Sequence, residues 1–200
     1  LKTSFFWTMD RLNNRGTCDV CAYIDSILGA GYDYDHRYLV DVVATCSGSA
    51  FLEKGKKYRF YPAVSAAWII SNESFLKDAS GLDLLKLRAS YGITGYDARL
   101  GYGLDTPNNG GGSGFVAMVG SSESGMMQGS YPSYGAIPET DFKANVGIDL
   151  RAFGGLEVGI DVFRNHRKHL KVSSSGVYSS LLGLGSPYIF NGETLNWGGE

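Results

Sequence analysis

Histidine is the side chain that most often binds metals or moves protons, and this sequence has three, His36, His166 and His169. The pair His166 and His169 stands where a strand is expected to enter a loop, a conceivable spacing for two metal ligands. Three basic residues surround this pair: Arg164, Arg167 and Lys168. A solvated basic strand end is the commoner origin of such a cluster. We therefore assign no catalytic, cofactor-binding or metal-binding residue to it.

Cysteines are the next candidates, and there are three of them. Cys18 and Cys21 have the Cys-x-x-Cys spacing of a redox pair or of half a zinc site. A second pair or a nearby histidine, which a zinc site needs, is absent from the sequence. In an exported chain Cys18 and Cys21 could form a disulfide, or Cys46 could pair with either. The sequence alone leaves these alternatives open.

Two further patterns resemble binding sites. The glycine-rich run 110–114 is followed by no Lys-Ser or Lys-Thr, so it does not predict a phosphate-binding loop. Asp33 and Asp35 flank Tyr34 as a conceivable cation site, although an acidic turn before a strand is the default interpretation. Together these residues indicate neither an enzyme nor a bound cofactor.

The composition points to an all-β chain with many turns. Aromatic residues make up 13% of the 200 residues, and there are 28 glycines. Charged residues reach 19%, below the roughly 25% of an average globular chain. The net charge of −2 with scattered basic residues gives no electrostatic case for nucleic acid. The sequence contains no run of 18 apolar residues that predicts a transmembrane helix, but membrane-spanning strands need no such run.

Alternation of apolar and polar residues is the dominant local pattern. It predicts strands in five segments: 38–44, 60–70, 85–93, 142–152 and 156–162. Residues 72–77 read as a short connecting turn with some helical character.

The last two strands allow a prediction of register. A three-residue loop at 153–155 keeps one continuous apolar face and places Arg151 opposite Glu157. The apolar pairs it predicts are Ala152 with Leu156, Leu150 with Val158, and Ile148 with Ile160. We expect Gly155 to be the left-handed residue of this hairpin.

Loop lengths alternate along the chain in a way that indicates a barrel. The long loops 46–58, 95–139 and 169–190 all fall at one end of an up-and-down meander, and short turns fall at the other. Outer-membrane barrels have this asymmetry, and strands of about ten residues cross a bilayer when tilted by about 45°. The predicted fold is all-β: an antiparallel meander that forms part of a transmembrane barrel.

A soluble β-sandwich shares the same alternation. In a sandwich the apolar rows face a common core, whereas in a membrane barrel they face lipid. One face of the last two strands carries charges of both signs: Lys143, Asp149, Arg151, Glu157 and Asp161. A solvated sheet face and a barrel interior both accept such a row. A soluble carbohydrate-binding or cell-surface adhesion module is therefore the alternative.

Several segments resemble strands of the SusC/RagA family of TonB-linked outer-membrane transporters, in family order over about residues 34–165. Residues 34–39 read Tyr-x-x-Arg-Tyr-Leu, and 85–95 read Leu-Lys-Leu-Arg-x-Ser-Tyr-Gly-x-Thr-Gly. Further matches cover 61–68, with Tyr61 in the place of Phe, and then 70–75, 139–149 and 191–200. The loop at 45–51 departs from the family pattern, because other residues stand here where the family has Arg and Asp.

The resemblance implies transport without catalysis. Members are similar in having a barrel of about 22 strands closed by an N-terminal plug. It implies import of glycans or peptides, driven by TonB, together with a SusD-like surface lipoprotein in the outer membrane of a Gram-negative bacterium. About seven strands are expected here, without the plug or the TonB-contacting segment.

The expected organisation is one partial barrel segment over residues 1–200. Residues 1–33 carry no assignment, 34–168 hold strands with the long loops 46–58 and 95–139, and 169–200 form a loop and the start of another strand. We expect the apolar face of the strands to contact membrane lipid. The open strand edges and apolar face also predict self-association.

Overall fold

The computed structural model describes residues 2–13, 20–49, 52, 55–76, 81–96, 108–111, 115–118, 121–123, 126–178 and 185–200. These ranges contain twelve strands and one short 3₁₀ turn at Ile70–Asn72. In chain order the strands are β1 Lys2–Asn13, β2 Val20–Tyr34, β3 Tyr38–Ser49, β4 Tyr58–Ile69, β5 Leu82–Tyr96, β6 Asn108–Gly111, β7 Phe115–Met118, β8 Ser121–Glu123, β9 Met126–Ser130, β10 Glu139–Ala152, β11 Leu156–Ser173 and β12 Tyr188–Gly199. No helix in these ranges is long and apolar enough to cross a membrane.

Eight strands form one antiparallel sheet in the order β1-β2-β3-β4-β5-β10-β11-β12. The order follows the chain, which confirms the predicted antiparallel meander. The sheet is not closed on itself in the described residues, so β1 and β12 form its two edges. The predicted self-association through such edges stays a prediction.

The first 33 residues, which the sequence patterns left unassigned, supply β1 and most of β2. The sheet therefore has eight strands, one more than the expected number of about seven. Consecutive aromatics at Phe5, Phe6 and Trp7 interrupt the alternation of β1, and glycines occupy two positions on one face of β2. Both features weaken the period-2 pattern on which strand prediction depends.

The long segment 95–139 leaves the sheet and returns to it. β5 pairs directly with β10, so the residues between them add no strand to the meander. Part of this segment forms two small ribbons, β6 with β9 and β7 with β8. The prediction of a long loop without strands missed these ribbons. At the start of the loop predicted for 46–58, β3 continues to Ser49.

The hairpin between β10 and β11 has the predicted register. Ala152 lies opposite Leu156, and Arg151 lies opposite Glu157. The expectation for Gly155 was wrong, because Phe153 (φ 55°) and Gly154 (φ 66°) are the left-handed residues. These two residues are the central positions of the four-residue turn 152–155. Left-handed conformation at both positions matches a type I′ turn, whose twist suits a hairpin. The Phe153 N–H donates to the Gly81 carbonyl at 2.9 Å, which holds this residue in place.

The sheet has almost no buried apolar core. Among the described side chains, the buried hydrophobic residues are Leu52, Ala136 and Ala152. Leu52 and Ala136 form a small cluster with Phe190. Within the part of the chain that the structure describes, neither face of the sheet therefore has the buried apolar contacts that stabilise a soluble domain.

Candidate functional site

The two faces of the sheet differ sharply in chemistry. Alternation places Val146, Ile148, Ile160 and Val162 side by side on one face, which we call the outward face. Exposed fractions there are 51% for Val146, 56% for Ile160 and 59% for Val162. A β-sandwich would bury this row against a second sheet, so these exposures argue against the alternative architecture. An exposed apolar surface of this kind indicates contact with lipid or with another protein.

The opposite face, which we call the inward face, carries an ion-pair network. Arg88 on β5 donates from Nε to Asp149 of β10 at 3.2 Å. Its Nη2 donates to Asp161 of β11 at 2.5 Å. One arginine thus ties together three adjacent strands, because it reaches across β10 to the strand beyond.

Gly147 makes this reach possible. In register it lies between Arg88 and Asp161 on the same face. A Cβ at position 147 would stand 2.5 Å from Asp161 Oδ1 and 2.9 Å from Arg88 Cζ. Any larger residue would therefore occupy the space where arginine and aspartate meet.

A cavity of about 680 Å³ lies against the inward face and extends over β3, β4, β5, β10 and β11. Its lining includes these polar side chains: Asp41, Ser65, Arg88, Ser90, Lys143, Asn145, Asp161 and Asn165. Charges of both signs alternate with hydroxyls and amides. Such a surface can hydrogen-bond water or a polar solute, and it presents no nucleophile paired with a general base.

A second cluster joins two turns at the short-turn end of the sheet. Glu73 is only 8% exposed and accepts hydrogen bonds from Tyr38 Oη at 2.7 Å and Trp68 Nε1 at 3.0 Å. Arg37 donates to its other oxygen at 3.3 Å. These hydrogen bonds, from Tyr38 first, and the charge of Arg37 lower the pKa of Glu73 from its usual value. The rings of Tyr38 and Trp68 stack with their centroids 6.2 Å apart.

The acidic pair predicted from sequence forms a turn. Asp33 accepts from the backbone N–H of His36 at 2.9 Å and contacts its ring Nδ1 at 2.7 Å. Asp35 pairs with Arg37 at 2.6 Å. Each carboxylate is therefore engaged locally, and the two do not converge on a cation position.

The two neighbouring histidines do not form a metal site. His166 Nε2 contacts Glu193 of β12 at 3.3 Å. His169 is a left-handed residue (φ 60°) where the pairing of β11 with β12 is irregular. Across the described ranges, no three His, Cys, Asp or Glu side chains are grouped to hold a metal ion.

The cysteine alternatives are narrowed by strand register. Cys46 is a free, exposed cysteine on β3, opposite Ser26 of β2. Cys21 lies five positions from Ser26 along β2, about 17 Å at 3.3 Å per residue. A disulfide needs Cα atoms within about 7 Å, so Cys46 and Cys21 cannot pair. Cys18 lies outside the described residues, as does part of the glycine-rich run 110–114.

Sequence reasoning missed the role of Arg88 and the cluster around Glu73. Arg88 stood on the polar side of a predicted strand, but its neighbours were unknown until β5 was paired with β10. A signal for Gly147 did exist: it is a glycine in the middle of a strongly alternating strand, which suggests close approach by another group.

Comparisons with known proteins find relatives among the TonB-dependent receptors. The TonB-dependent receptor P3 of Formosa agariphila is 30% identical over 141 residues, which is 69% of this chain. The TonB-dependent receptor SusC of Bacteroides thetaiotaomicron is 38% identical over 64 residues, 32% of this chain. This chain belongs to the SusC/RagA family of TonB-dependent receptors. No protein-family model matches the sequence.

Solved structures agree on the fold of this SusC/RagA family chain. The structure of the RagAB peptide transporter superposes with a TM-score of 0.77 over 90% of the chain, at 18% identity. The "open-open" state of the RagAB peptide importer gives 0.75 over the same share. The chain spans 14% of the length of receptor P3, 6% of SusC and 19% of the matched RagAB chain.

Proposed function

We propose that this SusC/RagA family chain forms part of the barrel wall of an outer-membrane nutrient importer in a Gram-negative bacterium. Its outward face contacts lipid, its inward face borders the path or the plug of the transporter, and it carries out no catalytic step. In this proposal residues 1–200 act as one wall segment without catalytic, cofactor or metal-binding residues.

The exposed apolar row on β10 and β11 carries this proposal. Burying an apolar side chain is worth about 25 cal/mol per Å² of surface, so a soluble sheet would lose that energy at every exposed position. In a bilayer the same row is transferred to hydrocarbon, and its exposure to the surroundings becomes favourable. The mixed charges of Arg88, Asp149 and Asp161 then belong on the side away from lipid.

The cargo and partners extend the proposal beyond this chain. We infer import of oligosaccharides or peptides, powered by TonB and assisted by a SusD-like lipoprotein. The relatives named TonB-dependent receptors support TonB as a partner. The structures titled RagAB peptide transporter support a peptide as one cargo class.

A localisation experiment tests the proposal directly. Membranes of the native host are separated into inner and outer fractions and probed with an antibody to this chain. We expect the band in the outer-membrane fraction. A band in the soluble fraction would contradict the proposal and return the soluble binding module to consideration.

A labelling experiment in the same membranes tests the two faces. In a background with Cys18, Cys21 and Cys46 replaced by serine, Asn145→Cys and Val146→Cys place thiols on adjacent residues of opposite faces. We expect a water-soluble maleimide to label Asn145→Cys and to spare Val146→Cys. Equal labelling of both by the water-soluble reagent would refute a lipid-facing surface.

For the partner and cargo, the tagged protein is purified from host outer membranes and the host gene is deleted. We expect a lipoprotein to co-purify and the deletion strain to lose growth on an oligosaccharide or peptide mixture as sole nutrient. Normal growth of the deletion strain on both mixtures would contradict import of either class.

A further inference from the structure

The outward row of β11 changes from apolar to basic toward its long-loop end. Leu156, Val158, Ile160 and Val162 are followed on the same face by these residues: Arg164, His166 and Lys168. Alternation fixes their common orientation, since each is two positions along the strand from the next. The outward face therefore carries a positive cluster next to its exposed apolar belt.

Cations on the two faces differ in their partners. On the inward face Arg88 pairs with two aspartates, and Lys143 and Arg167 both approach Asp141, at 3.8 and 3.4 Å. On the outward face His166 contacts Glu193 at 3.3 Å. Among the residues that the structure describes, Arg164 and Lys168 have no carboxylate within 4.0 Å.

The height of the cluster matches the edge of a bilayer. Arg164 and Lys168 lie eight and twelve residues after Leu156. At about 3.3 Å per residue and a tilt of about 45°, they stand about 19 and 28 Å above the hairpin end. The apolar band of an outer-membrane barrel is about 25 Å tall. In a band that begins at the hairpin end, Arg164 thus lies about 6 Å below the upper edge and Lys168 about 3 Å above it. This edge is on the long-loop side, which is the extracellular side of such barrels.

Aromatic rings on neighbouring strands complete a shallow groove at this rim. Its volume is about 220 Å³, and it is lined by Tyr91, Phe142, Ala144, Arg164, His166 and Lys168. Lys168 Nζ stands 6.0 Å from the centroid of the Phe142 ring. The groove therefore combines two cations without carboxylate partners with apolar walls, an arrangement suited to an anionic amphiphile.

We propose that this groove binds the phosphate-bearing headgroup of an outer-leaflet lipid, with Arg164 and Lys168 contacting the phosphate. Cations at the edge of hydrocarbon are costly unless an anion or water meets them, and charge-assisted hydrogen bonds to phosphate are among the strongest available. The rings of Tyr91 and Phe142 would contact the lipid below its headgroup. This inference rests on the proposed membrane location.

Binding of defined lipids to the full protein, purified in detergent from the host membrane, tests the inference. The probes are diphosphorylated lipid A and the same lipid without phosphates, titrated by native mass spectrometry. We expect the phosphorylated probe to bind about 10- to 30-fold more tightly, from two favourable cation contacts. The double variant Arg164→Gln/Lys168→Gln should lose this preference.

Two control variants separate charge at the groove from other effects. Lys143→Gln removes one positive charge at the same height on the inward face, opposite Asn165, and should keep the preference. Arg164→Lys/Lys168→Arg preserves both charges and should also keep it. A folding check by circular dichroism accompanies each variant.

Equal binding of the two lipids by the native protein would overturn the inference, and so would an undiminished preference in the Gln double variant. Displacement of the lipid by a few millimolar inorganic phosphate would show a site for the free ion instead. If the protein lies in the outer membrane but shows no lipid preference, only this inference fails. If it is absent from the outer membrane, the proposed function fails with it.

Discussion

An arginine at Ile160 is the sharpest test of which face meets lipid. Ile160 is midway between Leu156, near the hairpin, and Arg164, near the opposite rim, so it stands close to the centre of the apolar belt. Arginine on the lipid face of a barrel near the bilayer midplane costs about 2–4 kcal/mol. The substitution also removes the cross-strand contact with Ile148, worth about 0.2–1 kcal/mol. We expect Ile160→Arg to lower the free energy of unfolding by about 2–5 kcal/mol.

The matched control is the adjacent residue on the inward face. A Cβ at Gly159 would meet only Asp149 Oδ1, at 3.8 Å, an ordinary contact. Gly159→Arg adds the same side chain to the same strand and places it near a carboxylate. We expect its effect on the free energy of unfolding to stay within about 0.5 kcal/mol.

Both variants are compared in the full protein by denaturant unfolding in lipid vesicles, followed by tryptophan fluorescence. A buried protein core would also reject arginine at position 160, so a second measurement tests for contact with lipid itself. For this, the protein is reconstituted into vesicles of brominated lipids, which quench the fluorescence of tryptophans that they touch. The native protein will itself be quenched, because Trp197 lies opposite Arg164 on the outward face. Ile160→Trp should increase the quenching above the native level, and Gly159→Trp should not. Equal stability of the two arginine variants, or equal quenching of the two tryptophan variants, would refute our assignment of the faces.

Two other predictions concern the ion-pair network and the turn cluster. Gly147→Val should lower the free energy of unfolding by about 1–3 kcal/mol through overpacking, because its Cβ would lie 2.5 Å from Asp161 Oδ1. Thermal unfolding should show this loss. The control Gly159→Ala should leave the melting temperature nearly unchanged. Glu73 has a folded-state pKa below its usual 4.5 because of its hydrogen bonds and the nearby arginine. Its contribution to stability is therefore present above pH 4.5 and is lost as the pH falls through the lowered pKa. The melting temperature of the native protein should drop between pH 5 and pH 3 by more than that of Glu73→Gln, and parallel pH profiles of the two proteins would contradict this role.

The free cysteine on β3, Cys46, gives one more expected outcome. Cys46 should remain a free thiol in the native protein, because strand register keeps it about 17 Å along the sheet from Cys21. Thiol quantification after denaturation without reductant checks this. A Cys46–Cys21 disulfide found by peptide mapping would show that the β2–β3 register is wrong.

Strand prediction succeeded where alternation is strict and failed where it is interrupted. The strands β10 and β11 alternate over their central parts, and even their register followed from the need for one continuous apolar face. In β2 the inward positions Gly29 and Gly31 carry no side chain, because a Cβ would stand 2.8 Å from Ser4 Oγ and 2.5 Å from Asp41 Oδ1 respectively. Side chains of the neighbouring strands fill the space beside these glycines. The residues of β2 alone therefore do not show the alternating pattern from which a strand is predicted.

The sequence by itself determined the local properties of the strictly alternating segments: that they are strands, which of their residues share a face, and how the tight hairpin pairs. Each of these properties depends on residues that are close together in the chain, and the two-residue period of a strand can be read from such residues alone. Only the tertiary structure fixed the register in which β5 pairs with β10 across the long segment between them. That pairing brings Arg88 to Asp161 over Gly147, and it leaves the apolar face open to its surroundings. Backbone hydrogen bonds between distant strands determine these neighbours, and every strand offers the same donors and acceptors whatever its side chains.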